Sequence, residues 1–467
     1  MGATRRSPPG DPAPRASRSY ARSGAAKGPK ALPAAVAEAL ARALPDGGRI
    51  AIALSGGRDS VALFHAALEI VDAARVEMIA FHVDHGLSKH AATWAKFSRG
   101  LCAAHGIEYH AEQVRVASAS RTGVEAAARS ARYTALSAMA DAHGVAAILL
   151  GHHADDQAET TLLQLFRGAG PRGLAGMPAA RFDGRIWWLR PMLGFARDQI
   201  DAYAHRIAYR YVEDDSNADT RYRRNALRRD VVPVLRRIAP GYPSTLLRAA
   251  ALQADAAALL DDLARIDAAA AFDGATLDRA VLASLDARRA RNLLRWFLRE
   301  RGLAAPSTAR LTQMLQQLAH AGDDARIALG HEGAEIGVHR GRVIVHRLPL
   351  PAYRIDWYGT ETIDLPHGTL RLVRGYGPGI ATRHLAHCAI TIRSGAPGER
   401  LQPAGRAARR QVAELLREAG VPRWERPAVP RVYCNEALAA VAPIGVDAAF
   451  AAERGEPALI VDWHASA

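Results

Sequence analysis

The chain reads as an α/β protein: an N-terminal parallel-sheet domain, then a small mainly helical domain, then an α+β C-terminal domain. Three observations predict this. Strand-like and helix-like stretches alternate strictly between residues 50 and 166, the pattern of a parallel sheet with helices on both faces. A double-glycine turn, Ser55-Gly56-Gly57-Arg58-Asp59-Ser60, joins the first strand to the first helix. From about residue 243 the alternation gives way to Ala/Leu/Asp-rich helical sequence, and alternating strand-like sequence returns at 336–350.

The expected strands cover 50–55, 76–83, 107–116 and 145–151. The expected helices cover 60–71, 91–105, 123–143 and 156–166. Further helices are expected at 246–271, 287–301 and 307–320. The domains then run 34–242, 243–350 and 351–467. Residues 1–33 precede them as a disordered basic arm, rich in Arg, Ser, Pro, Gly and Ala with Asp11 as the lone acid. The arm has no apolar signal core, although its composition also fits an organelle transit peptide.

The chain has 467 residues, 49% hydrophobic and 23% charged, which is ordinary for a globular protein. No window approaches 18 uninterrupted apolar residues, so no membrane partner is expected. The net charge of +14 favours a polyanionic partner, or reflects solvated arginines in an Ala/Arg-rich chain. Cys102, Cys388 and Cys434 are far apart and form no Cys-x-x-Cys pair, so neither a disulfide framework nor a zinc ribbon is expected, and a cytoplasmic location fits. The oligomeric state is open, a homodimer included.

The glycines of the turn let backbone approach a ligand without a Cβ in the way. The free N–H groups of the following helix then point at that ligand, a geometry that binds phosphate. No Lys follows, so this is not a Walker A loop. Two further polar clusters follow strands: His82-Val83-Asp84-His85-Gly86-Leu87, and His152-His153-Ala154-Asp155-Asp156-Gln157-Ala158-Glu159-Thr160. In parallel sheets ligands lie beyond the carboxyl ends of the strands, where all three clusters would meet. Their His and acids could ligate zinc, whereas a magnesium ion shared with phosphates needs one or two carboxylates. Asp156 and Glu159, three apart, share a helix face. Such a pair suits an amine substrate and offers a base for its deprotonation; capping of the helix is the plainer reading.

Ser-Gly-Gly-x-Asp-Ser after a strand resembles the PP-loop of the ATP pyrophosphatases, which adenylate a carbonyl oxygen. Together with His82 to Leu87, Gly151 to Thr160, Phe166-Arg-Gly-Ala-Gly170, Arg190-Pro-Met-Leu193, Asp215-Ser-Asn-Ala-Asp219 and Tyr222-Arg-Arg-Asn-Ala-Leu-Arg228, it is similar to one branch, the tRNA(Ile)-lysidine synthetases. Residues 280–345 and 390–445 resemble that family's helical and C-terminal domains, the latter through Arg393, Gly398-Glu399-Arg400 and Gly420 to Arg426. Where the family has Arg after His-x-Asp-His-Gly-Leu, this chain has Ser88.

The resemblance implies ATP as substrate with Mg²⁺, free L-lysine as amine, and the CAU-anticodon isoleucine tRNA as acceptor. Its wobble cytidine would be adenylated and then joined to lysine. Ser55, Gly56, Gly57, Arg58, Asp59 and Ser60 would bind ATP, with Asp59 on the metal and His82 and Asp84 lining the nucleotide. Asp156 and Glu159 would bind lysine. Arg129, Arg132, Arg197 and Arg228 are candidates for the charge at the α-phosphate. Arg224 and Asn225, the helical stripe Arg288, Arg291, Arg295 and Arg299, and Arg423 with Trp424 would contact tRNA, the aromatic ring suiting unstacked bases. The alternative is another PP-loop tRNA-modifying enzyme such as a thiolase. Thiolases generally need paired cysteines, and only Cys102 lies in the first domain.

Overall fold

The structure, a computed structural model, describes residues 31–84, 86, 90–114, 124–212, 223–322, 326–331, 334–347, 351–366, 368–385 and 388–465. By compactness the chain divides into two units, 1–259 and 260–467.

The first unit is built on α1 (Ala31–Ala43), β1 (Gly48–Ala53), α2 (Arg58–Leu68), β2 (Val76–Asp84), α3 (Ala91–Ala104), β3 (Glu108–Gln113), α4 (Val124–Ala142), β4 (Ala147–Leu149) and α5 (Ala154–Leu165). The short helix α6 (Pro171–Leu174), β5 (Ala180–Phe182), β6 (Trp187–Leu189) and α7 (Arg197–Ile207) follow. The sheet order is β3-β2-β1-β4-β6-β5, parallel except for β5. Because β1 pairs with both β2 and β4, the strand order reverses there. The crevice beyond the ends of β1 and β4 is where such a sheet receives ligands.

From Ile50 onward β1 is apolar because both its faces are covered. Ile50 and Ile52 pack with Val61 and Phe64 of α2 and with Leu32, Val36 and Leu40 of α1. Ala51, between them, faces the other layer with Phe81, Leu136, Met139 and Trp188. Each such fully buried side chain contributes about 1.5–3 kcal/mol, which anchors the loops at the strand ends.

Four strands and four helices lie where alternation places them. The basic arm expected over 1–33 is cut short: α1 begins at Ala31, with Leu32 and Pro33 buried, and residues 1–30 lie outside the described residues. An Ala-rich stretch carries little periodicity contrast, so its helix start was not legible. β5, β6 and α7 were also not expected, the two strands being only three residues each.

Beyond α7 come α8 (Arg223–Ala226), a π-turn (Leu227–Val231), α9 (Val232–Ile238) and the long α10 (Tyr242–Ala268). In the second unit, α11 (Arg279–Ser284), α12 (Ala287–Glu300) and α13 (Thr308–His320) pack on a four-stranded sheet. That sheet orders β7 (Leu277–Asp278), β10 (Arg342–Arg347), β9 (Ala334–His339) and β8 (Arg326–His331). The middle region is thus mainly helical, with this small sheet beneath the helices. Asp286 starts α12 by accepting from the N–H groups of Arg288 and Arg289, a side-chain cap. Residues 351–465 form five-, four- and two-stranded sheets, with antiparallel pairing throughout.

Cys388 and Cys434 are joined in a disulfide across a Cα separation of 5.3 Å, where the spacing of the cysteines indicated no disulfide framework. Antiparallel pairing of the strand Ile390–Arg393 with Arg431–Cys434 puts Cys434 opposite Ile390, two residues from Cys388. The 46-residue separation hid this in the sequence. Cys102 is free and buried.

Candidate active site

The PP-loop leaves β1 at Leu54 and closes on itself. Ser55 N–H donates to Ser60 Oγ at 3.2 Å, the two hydroxyls lie 3.1 Å apart, and Ser60 Oγ donates to Gly57 O at 2.9 Å. Gly56 adopts φ +86°, and a Cβ there would meet Val212 at 3.1 Å, so the position requires glycine. Gly57 caps α2 with no side chain on the orphan N–H groups, which leaves them for an anion. A pocket of about 220 Å³ opens above, lined by Ser55, Gly57, Asp59, Ser60, Arg132 and His152 among others.

Gly151 ends the turn after β4. A Cβ there would lie 3.2 Å from the Asp59 carbonyl and from Ser60 N, so the Gly-His-His motif lies directly on the PP-loop backbone. Two motifs some ninety residues apart in sequence thus form one surface.

Three buried atoms around the pocket have no hydrogen-bond partner. Asp59 Oδ1 is shut from solvent and accepts no hydrogen bond, and Arg132 Nε is shut from solvent and donates none. Burial lowers the Arg132 guanidinium from its ordinary value, opposed by Tyr133 and reinforced by Arg129 and Arg224. A buried guanidinium N–H without an acceptor and a buried carboxylate oxygen without a donor are costly. An anion and a cation entering together satisfy both. His152 Nδ1 is also unpartnered. Burial, with Arg190, Arg132 and Arg129 nearby, pushes its pKa down to about 3 against the pull of Asp156.

His153, 2% exposed, stands between the loop and the acids. Its Nε2 lies 3.7 Å from Asp59 Oδ2 and 3.5 Å from Asp156 Oδ2, and its Nδ1 3.4 Å from Asp155 Oδ2. Burial pulls the imidazole down, yet Asp155, Asp156 and Asp59 hold its pKa above the ordinary value. Asp155 also accepts from Arg197 N–H and pairs with Arg236.

Asp156 and Glu159 are both buried and share one face of α5. Asp156 Oδ2 accepts from His153 N–H at 3.1 Å, so the capping reading holds for this oxygen. Its Oδ1 accepts from Arg224 at 2.7 Å and Arg228 at 3.1 Å, while Glu159 accepts from Arg224 Nε and Arg228 Nε, each at 2.6 Å. Burial raises the Asp156 pKa, but His153, Arg224 and His152 hold it well below the carboxylate range.

Several expected roles change. Arg224 turns inward to the acids rather than outward to RNA, and Arg228 does the same rather than pointing at a phosphate. Arg58 leaves the pocket, pairing with Asp201 and lying over the Tyr211 ring. His82 and Asp84 are not among the pocket residues; Phe81 and Val83, alternating with them on β2, are. His82 Nδ1 is 2.8 Å from Leu54 O, and Asp84 accepts from Gly86 N–H. The period of two along a strand decides this, and the sequence alone does not say which face the pocket takes. Arg129 stays near the site, stacked over Tyr133, and Arg197 lies 3.7 Å from Asp59. Asn225 is half-buried on α8. His85, Ser88 and 213–222 lie outside the described residues.

Sequence reasoning missed Gln157. Its amide donates to Ala175 O and Met177 O and accepts from Met177 N–H, which pins the turn after α6. Among the described residues, the metal-ligand spacing occurs not in the His-rich motifs but at Glu108, His110 and His143. Glu108 there already pairs with Arg49.

In the second unit, α12 buries Leu293, Leu294 and Phe297 completely. Its stripe is graded: Arg288 is exposed and Arg291, Arg295 and Arg299 are half-buried. Arg299 donates to Asp261 at 2.5 Å. Arg423 is exposed. Trp424 stacks on His346 at 4.4 Å with the rings 2° from parallel, and a Cβ on Gly337 would be 2.1 Å from the indole. The ring expected to stack on RNA bases therefore packs within the unit.

Fold and loop define a PP-loop protein of the ATP pyrophosphatase type. A PP-loop domain model matches residues 33–235, a TilS substrate binding domain model 277–344, and a TilS substrate C-terminal domain model 390–463. The tRNA(Ile)-lysidine synthase of Nitrosomonas europaea is 36% identical over 428 residues, covering 90% of this chain and 93% of that one. Those of Burkholderia pseudomallei and Alkalilimnicola ehrlichii are 39% and 40% identical, covering 87% and 91% of this chain and 91% and 96% of their own. The chain belongs to the tRNA(Ile)-lysidine synthase family. Among the described residues, no helix is long and apolar enough to cross a membrane.

Proposed function

We propose that this enzyme joins L-lysine to the wobble cytidine of the CAU-anticodon isoleucine tRNA, with ATP as the activating substrate. The observation that carries the reading is the single imidazole of His153 between Asp59 of the PP-loop and Asp156 of the acid pair. A phosphate-binding loop and an amine-binding acid pair one side chain apart suit a two-step reaction. The PP-loop N–H groups hold the pyrophosphate portion of ATP, and Arg132 takes the charge at the α-phosphate as the cytidine carbonyl oxygen attacks. Pyrophosphate leaves. The ε-amine of lysine, held by Asp156 and Glu159, then attacks the activated ring carbon and AMP departs. Donors fixed in advance where charge develops give such a site its strongest stabilisation of the transition state.

The orphaned Asp59 Oδ1 fits a Mg²⁺ ion, since a carboxylate beside phosphates calls for a cation between them. Bound there, Mg²⁺ would neutralise phosphate charge; Asp59 is its holder from this chain. Arg288, Arg291, Arg295 and Arg423 are the exposed or half-exposed arginines assigned to tRNA.

The test is incorporation of radiolabelled lysine into a CAU-anticodon isoleucine tRNA transcript, with initiator methionine tRNA as control. ATP-dependent labelling of the isoleucine tRNA alone is expected. Pyrophosphate release without lysine incorporation would send the search to another nucleophile. Glu159→Gln should raise the lysine KM more than the ATP KM; equal effects would make the acid pair structural.

A further inference from the structure

The acid pair assigned to lysine already holds two cations. Three of its four oxygens accept from Arg224 or Arg228, and the fourth accepts from the His153 N–H. Two carboxylates face two guanidinium groups, with the His153 imidazole a further partner 3.5 Å from Asp156, so the pair carries no uncompensated negative charge. An incoming ε-ammonium would add a further cation to this buried cluster, where an uncompensated charge is costly. Exchange of cation for cation avoids that cost.

Both arginines come from one short segment. They are four residues apart, so they face the same way, and Arg228 lies in the π-turn Leu227–Val231, a form found disproportionately at functional sites. A single displacement of this segment withdraws both guanidiniums. Its other arginines, Arg223 and Arg229, are exposed, Arg229 paired with the neighbouring Asp230, so a polyanion that draws the segment outward acts chiefly on Arg223.

We propose that Arg224 and Arg228 are internal stand-ins for the ammonium of lysine, and that they make lysine entry conditional on tRNA. Without RNA the guanidiniums fill the acid pair. Bound tRNA pulls segment 223–231 away, and lysine takes the place they leave. Arg224 and Arg228 thus set lysine affinity and its coupling to RNA, rather than contacting the RNA or the α-phosphate. The proposal rests on the reading that Asp156 and Glu159 bind lysine.

The experiment is equilibrium dialysis of radiolabelled L-lysine against the full-length enzyme, with and without unmodified isoleucine tRNA and without ATP, so that no turnover occurs. For the wild type, lysine should bind at least about tenfold more tightly with tRNA present, within the usual range of coupling between sites. Arg224→Gln should bind lysine without tRNA about as tightly as the wild type does with it. Weaker lysine binding by Arg224→Gln in both conditions would overturn the proposal, because the arginine would then be helping to hold lysine. So would a wild-type affinity indifferent to tRNA. Arg224→Lys keeps the charge but loses the fork, and serves if the Gln variant does not fold: its coupling should fall below that of the wild type, and unchanged coupling counts against the proposal. Glu159→Gln separates the two levels. If it leaves lysine binding unchanged in both conditions, the acid-pair reading fails. If it weakens lysine binding while Arg224→Gln leaves the coupling intact, only the stand-in role fails.

Discussion

Around Asp156 the arginines turn inward, and each carboxylate oxygen has a donor. Along α12 the arginines turn outward in steps, from exposed Arg288 to Arg299 held by Asp261. Both regions looked alike as sequence: basic residues at helical spacing. The difference is what lies beneath. α5 presents buried acids, so nearby arginines are recruited as counter-ions. α12 presents Leu293, Leu294 and Phe297 to a core, so its arginines are left to the surface. Buried charges are barely screened and fit chemistry. Exposed ones are screened within about 10 Å at ordinary salt and fit a salt-dependent grip on a polyanion.

The largest effect should come from the buried side. Asp59→Ala should cut ATP-dependent pyrophosphate release by roughly 10²–10³-fold, on the scale of removing one prearranged electrostatic partner of the transition state. Pyrophosphate release at the wild-type rate would mean the orphaned carboxylate is not part of the ATP site.

The next is a pH effect. His152 is held at about pKa 3, below its unfolded value, so it is neutral in the folded protein while the unfolded chain takes up a proton as pH falls below about 6.5. Its contribution lowers stability from about pH 6.5 downwards, by up to about 1.4 kcal/mol per pH unit until its folded pKa is reached. His153 has the opposite sign: its raised pKa gives stability below about 6.5 that is lost as pH rises through its folded value. Urea unfolding at pH 7.5, 6.0 and 5.0 should show a shallower acid decline in His152→Asn than in the wild type. Parallel curves would show that His152 does not carry this linkage.

On the second unit, Trp424→Ala should lower the melting temperature by several degrees, since it empties the seat between His346 and Gly337, and should leave the salt dependence of tRNA binding unchanged. A flatter salt slope without loss of stability would restore the ring to the RNA surface. The smallest effect should be that of Arg288→Ala with Arg291→Ala, which should reduce the slope of log affinity against log salt by about one for each phosphate no longer neutralised. Arg299→Ala should shift stability instead, through Asp261. An equal slope change in Arg299→Ala would erase the gradation along α12.

The sequence was informative where backbone decides. Strict alternation, the glycine turn and the Gly-His-His motif place three clusters at strand ends, and their described residues are found there. It was uninformative where side chains choose partners. Nothing in Arg58 shows that Asp201, 143 residues away, will claim its guanidinium. Nothing in two adjacent histidines shows that His153 will be held by three acids while His152 faces the pocket. Phe81 and Val83 line the pocket although His82 and Asp84 carry the conspicuous chemistry, because a strand offers only one parity to a given face. The pairing of Cys388 with Cys434 is likewise a matter of register.

Gly151 has a further consequence. A methyl group at this point would lie 3.2 Å from the peptide between Asp59 and Ser60, so the turn after β4 comes close to that peptide only because the residue is glycine. The spacing between the PP-loop and the Gly-His-His motif is therefore set at this point by backbone against backbone, with no Cβ between them. An alanine would act as a shim of a few tenths of an ångström in that gap. Reaction rates respond steeply to such offsets, a misplacement of about 1 Å costing on the order of a hundredfold. The smallest residue in the motif thus gauges how closely the two motifs approach each other.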